Sequence, residues 1–327
     1  MSVGIPDLAL EETEVGAVDL VSDDIEARSP WELFFRRFRD DKFALAGLIF
    51  LIVLILVAIF APLVCKLVGA PGPDSTDPNA LDIFGDPTGP SSAHIFGVDQ
   101  IGRDVFSRVV YGARISLVVA FVSTAITTVV GVLLGLIAGY YRGWVDTLVS
   151  RTVDAFLAIP YLLLAIGLAS ACSFGNGCLG GLVKPGVPVV IAVIAITSWT
   201  YPARIIRGQV LSLREKEFVD ASRSLGASNF RIIIKELLPN LTAPIVVFAS
   251  TFLPTAILFE AALSFLGVGV QPPTPSWGQM ISDAAPNIAS QWWYMLFPGL
   301  ALLFTALAFN FVGDAFTDAL NPRARSR

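Results

Sequence analysis

The sequence predicts an all-α integral membrane protein with six transmembrane helices, and three observations carry that expectation. Of 327 residues, 54% are hydrophobic and only 15% charged, where soluble domains average about 25% charged. Charge-free runs recur that are long enough to cross a hydrocarbon layer about 30 Å thick. Basic residues gather on alternate connecting segments, as they do when short loops of one side stay in the cytoplasm.

The net charge of −5 reports a tail. Residues 1–27 hold eight acids and no base, leaving 19 acids against 22 bases in the rest. So acidic a segment cannot bury enough apolar surface to fold, and the expectation is a disordered tail. No basic start or short apolar core suggests a cleavable signal, so the first apolar run is expected to stay as an anchor. It covers 43–64. The second span is expected at 115–141, the third near 153–171, and the fourth at 185–203, trimmed by Pro188 and Pro202. The fifth is expected at 237–259 and the sixth near 294–311.

With the N-terminus inside, the inner segments hold seventeen Lys and Arg residues and the outer ones five. Both termini are therefore expected in the cytoplasm of a cell-membrane protein. The chain divides into an acidic tail at 1–29 and a first span with a long outer segment at 30–114. A core of five further spans follows at 115–318, with a polar elbow at 214–239, and then a basic tail at 319–327.

The elbow is the one polar, helix-periodic stretch between spans: "VDASRSLGASNFRIIIKELLPN", at 219–240. Phe230, Ile233, Ile234, Leu237 and Leu238 fall on one helical stripe. Ser228 is a candidate N-cap and Pro239 limits the helix. Upstream, 214–225 reads as another helix, and Gly226-Ala227 stands where a helix ends in a left-handed turn. Such an elbow could lie on the membrane surface or dock into a partner's groove.

This elbow resembles the coupling motif of binding-protein-dependent ABC importer permeases, which runs Glu-Ala-Ala, three residues, Gly, and a closing Leu-Pro. Asp220-Ala221-Ser222 takes the first place, Gly226 the glycine, and Leu238-Pro239 the end. Asp for Glu and Ser for the second Ala are departures that leave the elbow intact. "HIFGVDQIGRDVFSRVVYGARISL" at 94–117 is similar to the entry of the second span in the peptide-and-nickel subfamily, with Ile95 in place of its usual Pro. "EAALSFLGVGVQPPTPSWGQM" at 260–280 is similar to the end of its fifth span and the loop beyond. The likeness covers about 30–320 and points to the second, shorter permease of dipeptide and oligopeptide importers.

The resemblance implies a type I importer permease fold. It implies a second permease as heterodimer partner, two ATPase subunits that bind the ATP and Mg, and an outer solute-binding protein. Lipid surrounds the chain, and nucleic acid is not a partner. The elbow, through Asp220, Ala221, Ser222, Gly226, Ala227, Leu238 and Pro239, would carry the ATPase motion to the spans. The dipeptide Gly-Lys, needed for a Walker A loop, does not occur. The chain is therefore expected not to be an enzyme and to hold no cofactor of its own. A secondary transporter would be expected to bury coupling acids at mid-membrane, and none is evident. A membrane enzyme lacks a catalytic constellation. Within the importer family, a nickel chelate or another solute stays open beside peptides.

Glu260 lies ~34 Å beyond 237 along a helix, which puts it at the outer interface. It could gate, contact a subunit, or be a locally paired structural acid. Arg103 and Asp104 could cap and orient a helix or contact the binding protein. Trp277, in a proline-rich outer loop, is expected to be exposed for docking or as part of an outer gate. Cys172 and Cys178 flank a short outer turn and could be bridged or free. His94 is the only histidine and no metal site is expected.

Overall fold

The computed structural model describes residues 38–173 and 177–320, and among them all regular structure is helical. The acidic tail expected at 1–29 lies outside the described residues, as do 321–327 of the basic tail.

Helix α1, Lys42–Ile59, starts at Asp41, whose carboxylate accepts from the amides of Phe43 and Ala44 at 2.9 and 3.1 Å. Its outward side, Ile49, Ile52, Val53, Leu56 and Ile59, is exposed and carries no polar group. Helix α2, Ala61–Val68, ends at Gly69 with φ 75°. An irregular cap follows up to Asp104, at the end expected to face outward. Then α3, Val105–Tyr141, runs unbroken for 37 residues, ~55 Å at 1.5 Å per residue. It begins ten residues before the expected start at 115, because Asp104 caps it and Arg108 finds partners in the cap.

The third span is not a straight helix. Helices α4, Gly143–Ala158, and α5, Tyr161–Ser173, meet at 92°. The expected span over 153–171 crosses that corner. The cause is Pro160, which pushes Ile159 into an extended conformation, φ −94° and ψ 131°. Helices α6, Val187–Ser198, and α7, Thr200–Leu213, form one crossing. Next come the elbow and then α11, Thr242–Phe265. Helix α12, Trp277–Ala284, lies in the outer cap, and α13, Trp292–Leu320, closes the chain. Among the described residues five crossings are long and apolar enough to span a bilayer, and the bent pair, counted as one broken span, makes six.

Helix α3 is the axis, and α7 packs closely along it. Gly131, Gly135 and Gly139 recur every four residues on one face of α3. A methyl group at these positions would stand 2.8 Å from the Trp199 carbonyl oxygen, 2.7 Å from that of Ala203, and 2.8 Å from Val210 Cβ. In lipid, helices gain nothing from hiding apolar surface from water, so close backbone packing across small residues has to hold them together.

Gly131→Ala should therefore force α3 and α7 apart and cost about 1–3 kcal/mol, the usual range for overpacking. Thermal unfolding in detergent should show it, whereas Gly167→Ala, with open space around it, should unfold like the parent. Equal unfolding of Gly131→Ala and parent would refute the close contact.

Candidate functional site

The elbow is built from four short pieces: α8, Glu217–Ser224; α9, Asn229–Arg231; a π-helical segment, Ile232–Leu237; and α10, Leu238–Asn240. Helix α8 is shorter than the expected 214–225. Gly226 ends it at φ 79°, and the amide of Ala227 donates to the Ser222 carbonyl at 3.1 Å. Nothing lies within 4 Å of a Cβ placed on Gly226, so the positive φ alone asks for glycine there. Ser228 caps the next helix, its hydroxyl accepting from the Arg231 amide at 3.4 Å.

The stripe of Phe230, Ile233, Ile234, Leu237 and Leu238 is divided between a packed and an exposed side. Leu237 is buried, but Phe230 and Ile234 are exposed, and Ile232 is buried in their stead. The π-helical winding across Ile232–Leu237 breaks the 3.6-residue period on which the stripe was counted.

The buried side chains Val219, Ile232 and Leu237 pack against Leu136 and Tyr140 of α3 and Ile206 and Val210 of α7. Polar ties fix the same joint. Tyr140 Oη donates to Asn229 Oδ1 at 2.8 Å, Arg214 donates to the Tyr140 carbonyl, and Arg142 pairs with Glu215 at 2.6 Å. Helix α4 is clamped to α7 close by, through Arg207 with Asp146 and Arg204 with Asp154 at 2.7 Å. The outward side of the elbow keeps Phe218, Leu225 and Phe230 exposed, Leu225 at 88%. Asp220 stays in solvent beside Arg223, 3.1 Å away.

At the opposite end of α3 the structure buries Asp104, Glu260 and Trp277 and half-buries Arg103. Asp104 accepts from the Ser107 amide at 2.7 Å and meets His94 Nδ1 at 2.8 Å. Arg103 pairs with Asp99 at 2.6 Å. Arg108, which sequence reasoning passed over as an outer-loop base, is fully buried and donates to the Pro73 carbonyl at 3.1 Å. Burial raises the Asp283 carboxyl pKa, opposed by its hydrogen bond from Tyr294 and the charges of Arg108 and Arg103.

Trp277 is fully buried, not exposed, and its Nε1 donates to the Val109 carbonyl at 3.0 Å. The proline-rich loop delivers Ser276, which caps α12 and sets the indole against Gly112 of α3. Glu260 is likewise buried, near the far end of α11, which begins at Thr242 and not at 237. Its carboxylate accepts from Ser116 and Ser264, each at 2.8 Å. Cys172 and Cys178 are joined as a disulfide with Cα atoms 4.8 Å apart, and Cys65 is free and buried.

Comparison with known proteins accords with this geometry. The family described as binding-protein-dependent transport system inner membrane component matches residues 131–326. The N-terminal transmembrane domain of oligopeptide transport permease C matches 29–82. Among curated relatives, the dipeptide transport system permease protein DppC of Alkalihalophilus pseudofirmus is 42% identical over 304 residues, 93% of each chain. The glutathione transport system permease protein GsiD of Escherichia coli is 41% identical over 311 residues, 95% of this chain and 96% of that one. Among solved structures, an inward-facing form of the MetNI methionine ABC transporter superposes with a TM-score of 0.54. It is 22% identical, over 66% of this chain and 97% of that one.

The two ends of α3 differ in what a substitution should do. Asp104→Ala removes a buried helix cap and should cost about 1–2 kcal/mol. Asp220→Ala, at an exposed side chain, should stay within about 0.5 kcal/mol of the parent. Chemical unfolding in detergent compares them, and equal losses would mean that Asp104 does not hold the start of α3.

Proposed function

This chain belongs to the family of binding-protein-dependent transport system inner membrane components, and from that premise we propose how it works and what it carries. It is the permease of a binding-protein-dependent ABC importer, an integral membrane protein with the type I permease fold. We take its solute to be a small peptide, a reading supported by the dipeptide and glutathione permeases to which it is similar along almost its whole length.

The observation that carries the mechanism is the elbow. Its inner side is fused to the ends of α3 and α7, while Phe218, Leu225 and Phe230 stand exposed on a polar protrusion. Exposed apolar anchors ringed by charge suit a groove on a partner, here one of two ATPase subunits. Asp220, Ala221, Ser222, Gly226, Ala227, Leu238 and Pro239 shape that contact. The ATPase pair binds and hydrolyses ATP with Mg, and its closure swings the elbow. Because the elbow, α3 and α7 are one packed body, the swing reaches the outer cap as a rigid-body rotation. A second, different permease completes the pathway. An outer solute-binding protein delivers to the cap, where Arg103, Asp104, Glu260 and Trp277 act as the frame of an outer gate. Both termini lie in the cytoplasm, on the strength of the basic-residue asymmetry.

Orientation is checked with an impermeant maleimide on intact cells. Ser91→Cys, exposed in the outer cap, should label and Ser326→Cys should not. Labelling of Ser326→Cys alone would reverse the topology.

Coupling is checked by uptake in reconstituted vesicles together with the ATPase content of the purified complex. Gly226→Val places a β-branched residue at positive φ, a strain of about 1–3 kcal/mol, and Asp220→Lys reverses the charge offered to the partner. Both variants should insert normally and lose uptake, with the ATPase released or hydrolysing idly. Parental uptake and full ATPase content in both would remove the elbow from the coupling path.

A further inference from the structure

We propose that a cleft at mid-span, lined by Tyr161, Ser198, Tyr201, Phe248, Thr251 and Phe252, is this chain's wall of the solute path, and that it passes uncharged or zwitterionic solutes. The cleft has a volume of about 300 Å³, at the lower end of the range for ligand pockets of about 300–1,000 Å³. It lies where α5, α7 and α11 converge, just beyond the corner at Pro160. Ser198 is twelfth in the crossing that begins at Val187, and Thr251 tenth in the helix that begins at Thr242. Both therefore sit ~14–17 Å from a helix end, near the middle of the membrane.

The chemistry of the wall separates it from the lipid-facing surface. Five hydroxyl-bearing residues, Tyr161, Ser198, Tyr201, Thr251 and Thr255, line it. The exposed side of α1 shows none over the same depth. Ser198 is fully buried, and its hydroxyl pairs with that of Tyr161. The hydroxyl-bearing residues left exposed on the wall are Tyr201, Thr251 and Thr255, and a wall so rich in polar groups suits a polar or wet occupant better than hydrocarbon. Thr251 is satisfied by its own helix, through the Val247 carbonyl at 2.9 Å, and can still accept from a passing group.

No charged residue lines the cleft. Hydroxyls both donate and accept, so they can meet an ammonium, an amide or a carboxylate without holding any of them firmly. Transport needs such weak binding, because a solute that is trapped does not leave. Phe248 and Phe252, stacked with centroids 5.4 Å apart, offer an apolar face for a side chain. This assignment rests on the importer reading above and adds to it which residues the solute meets.

The test uses the full complex in vesicles with a charged methanethiosulfonate reagent. Thr251→Cys and Thr255→Cys are compared with Leu163→Cys, whose parent side chain is 64% exposed on α5. The thiolate is the reactive form and needs water, so the two cleft cysteines should react about tenfold faster than Leu163→Cys, and modification should stop uptake of Ala-Ala. Thr251→Trp, which fills the cleft, should block uptake in a complex that retains its second permease. Cleft cysteines no faster than Leu163→Cys would show a lipid-covered groove and overturn the proposal. Loss of the second permease from Thr251→Trp would show a subunit seam and overturn it equally. Fast labelling in a complex that never takes up Ala-Ala would keep the wet path and overturn the peptide as its occupant.

Discussion

Two helix backbones, α3 and α7, approach so closely that no side chain fits between them at three successive turns. In water, such a pair would be held by apolar side chains leaving solvent; in lipid that gain is absent. Contact between main chains at Gly131, Gly135 and Gly139 replaces it. The other features of the fold refer to this pair. The corner at Pro160 lets α4 lie along α7 and pair Asp146 and Asp154 with its arginines. The buried side of the elbow is the far end of the same seam.

Helix α3 is long because it serves two joints. Its first turns are enclosed by the outer cap, where Asp104, Arg108 and the indole of Trp277 fasten it. Its last turns are enclosed by the elbow through Leu136 and Tyr140. A rod pinned at both ends transmits rotation with little loss, because packed interiors have low compressibility. Glu260 fits the same scheme: a carboxylate held by Ser116 of α3 and Ser264 of α11 ties the rod to its neighbour just under the cap.

Much of this was legible in the sequence. The apolar runs gave five crossings directly, and the turn at Gly226 with its cap at Ser228 followed from local backbone rules. The misreadings share a cause. Arg108 and Trp277 were judged by residue type, as outer base and exposed aromatic. Each is buried by a partner distant in sequence: Pro73 and Val109. Hydropathy marks a charged residue as the end of a span, yet Arg108 lies inside a helix because the cap supplies the Pro73 carbonyl and the carboxylates of Asp74 and Asp99 to receive it. The corner at Pro160 was a local signal that a charge-free run concealed. The wider winding at Ile232–Leu237 has no comparable mark in the composition of that stretch.

That winding has a consequence for the membrane beyond it. In Ile232–Leu237 the amide of Leu238 reaches back five residues, to the Ile233 carbonyl, so the segment holds one residue more than a regular helix would. Each residue of an α-helix turns the chain by about 100°. The extra one therefore sets the azimuth at which α11 enters the bilayer. Phe248 and Thr251 point to the cleft, and Leu258 to the outside, because of a step taken before the helix reaches lipid. A chain one residue shorter there would keep every apolar side chain of α11 and present them to the wrong neighbours.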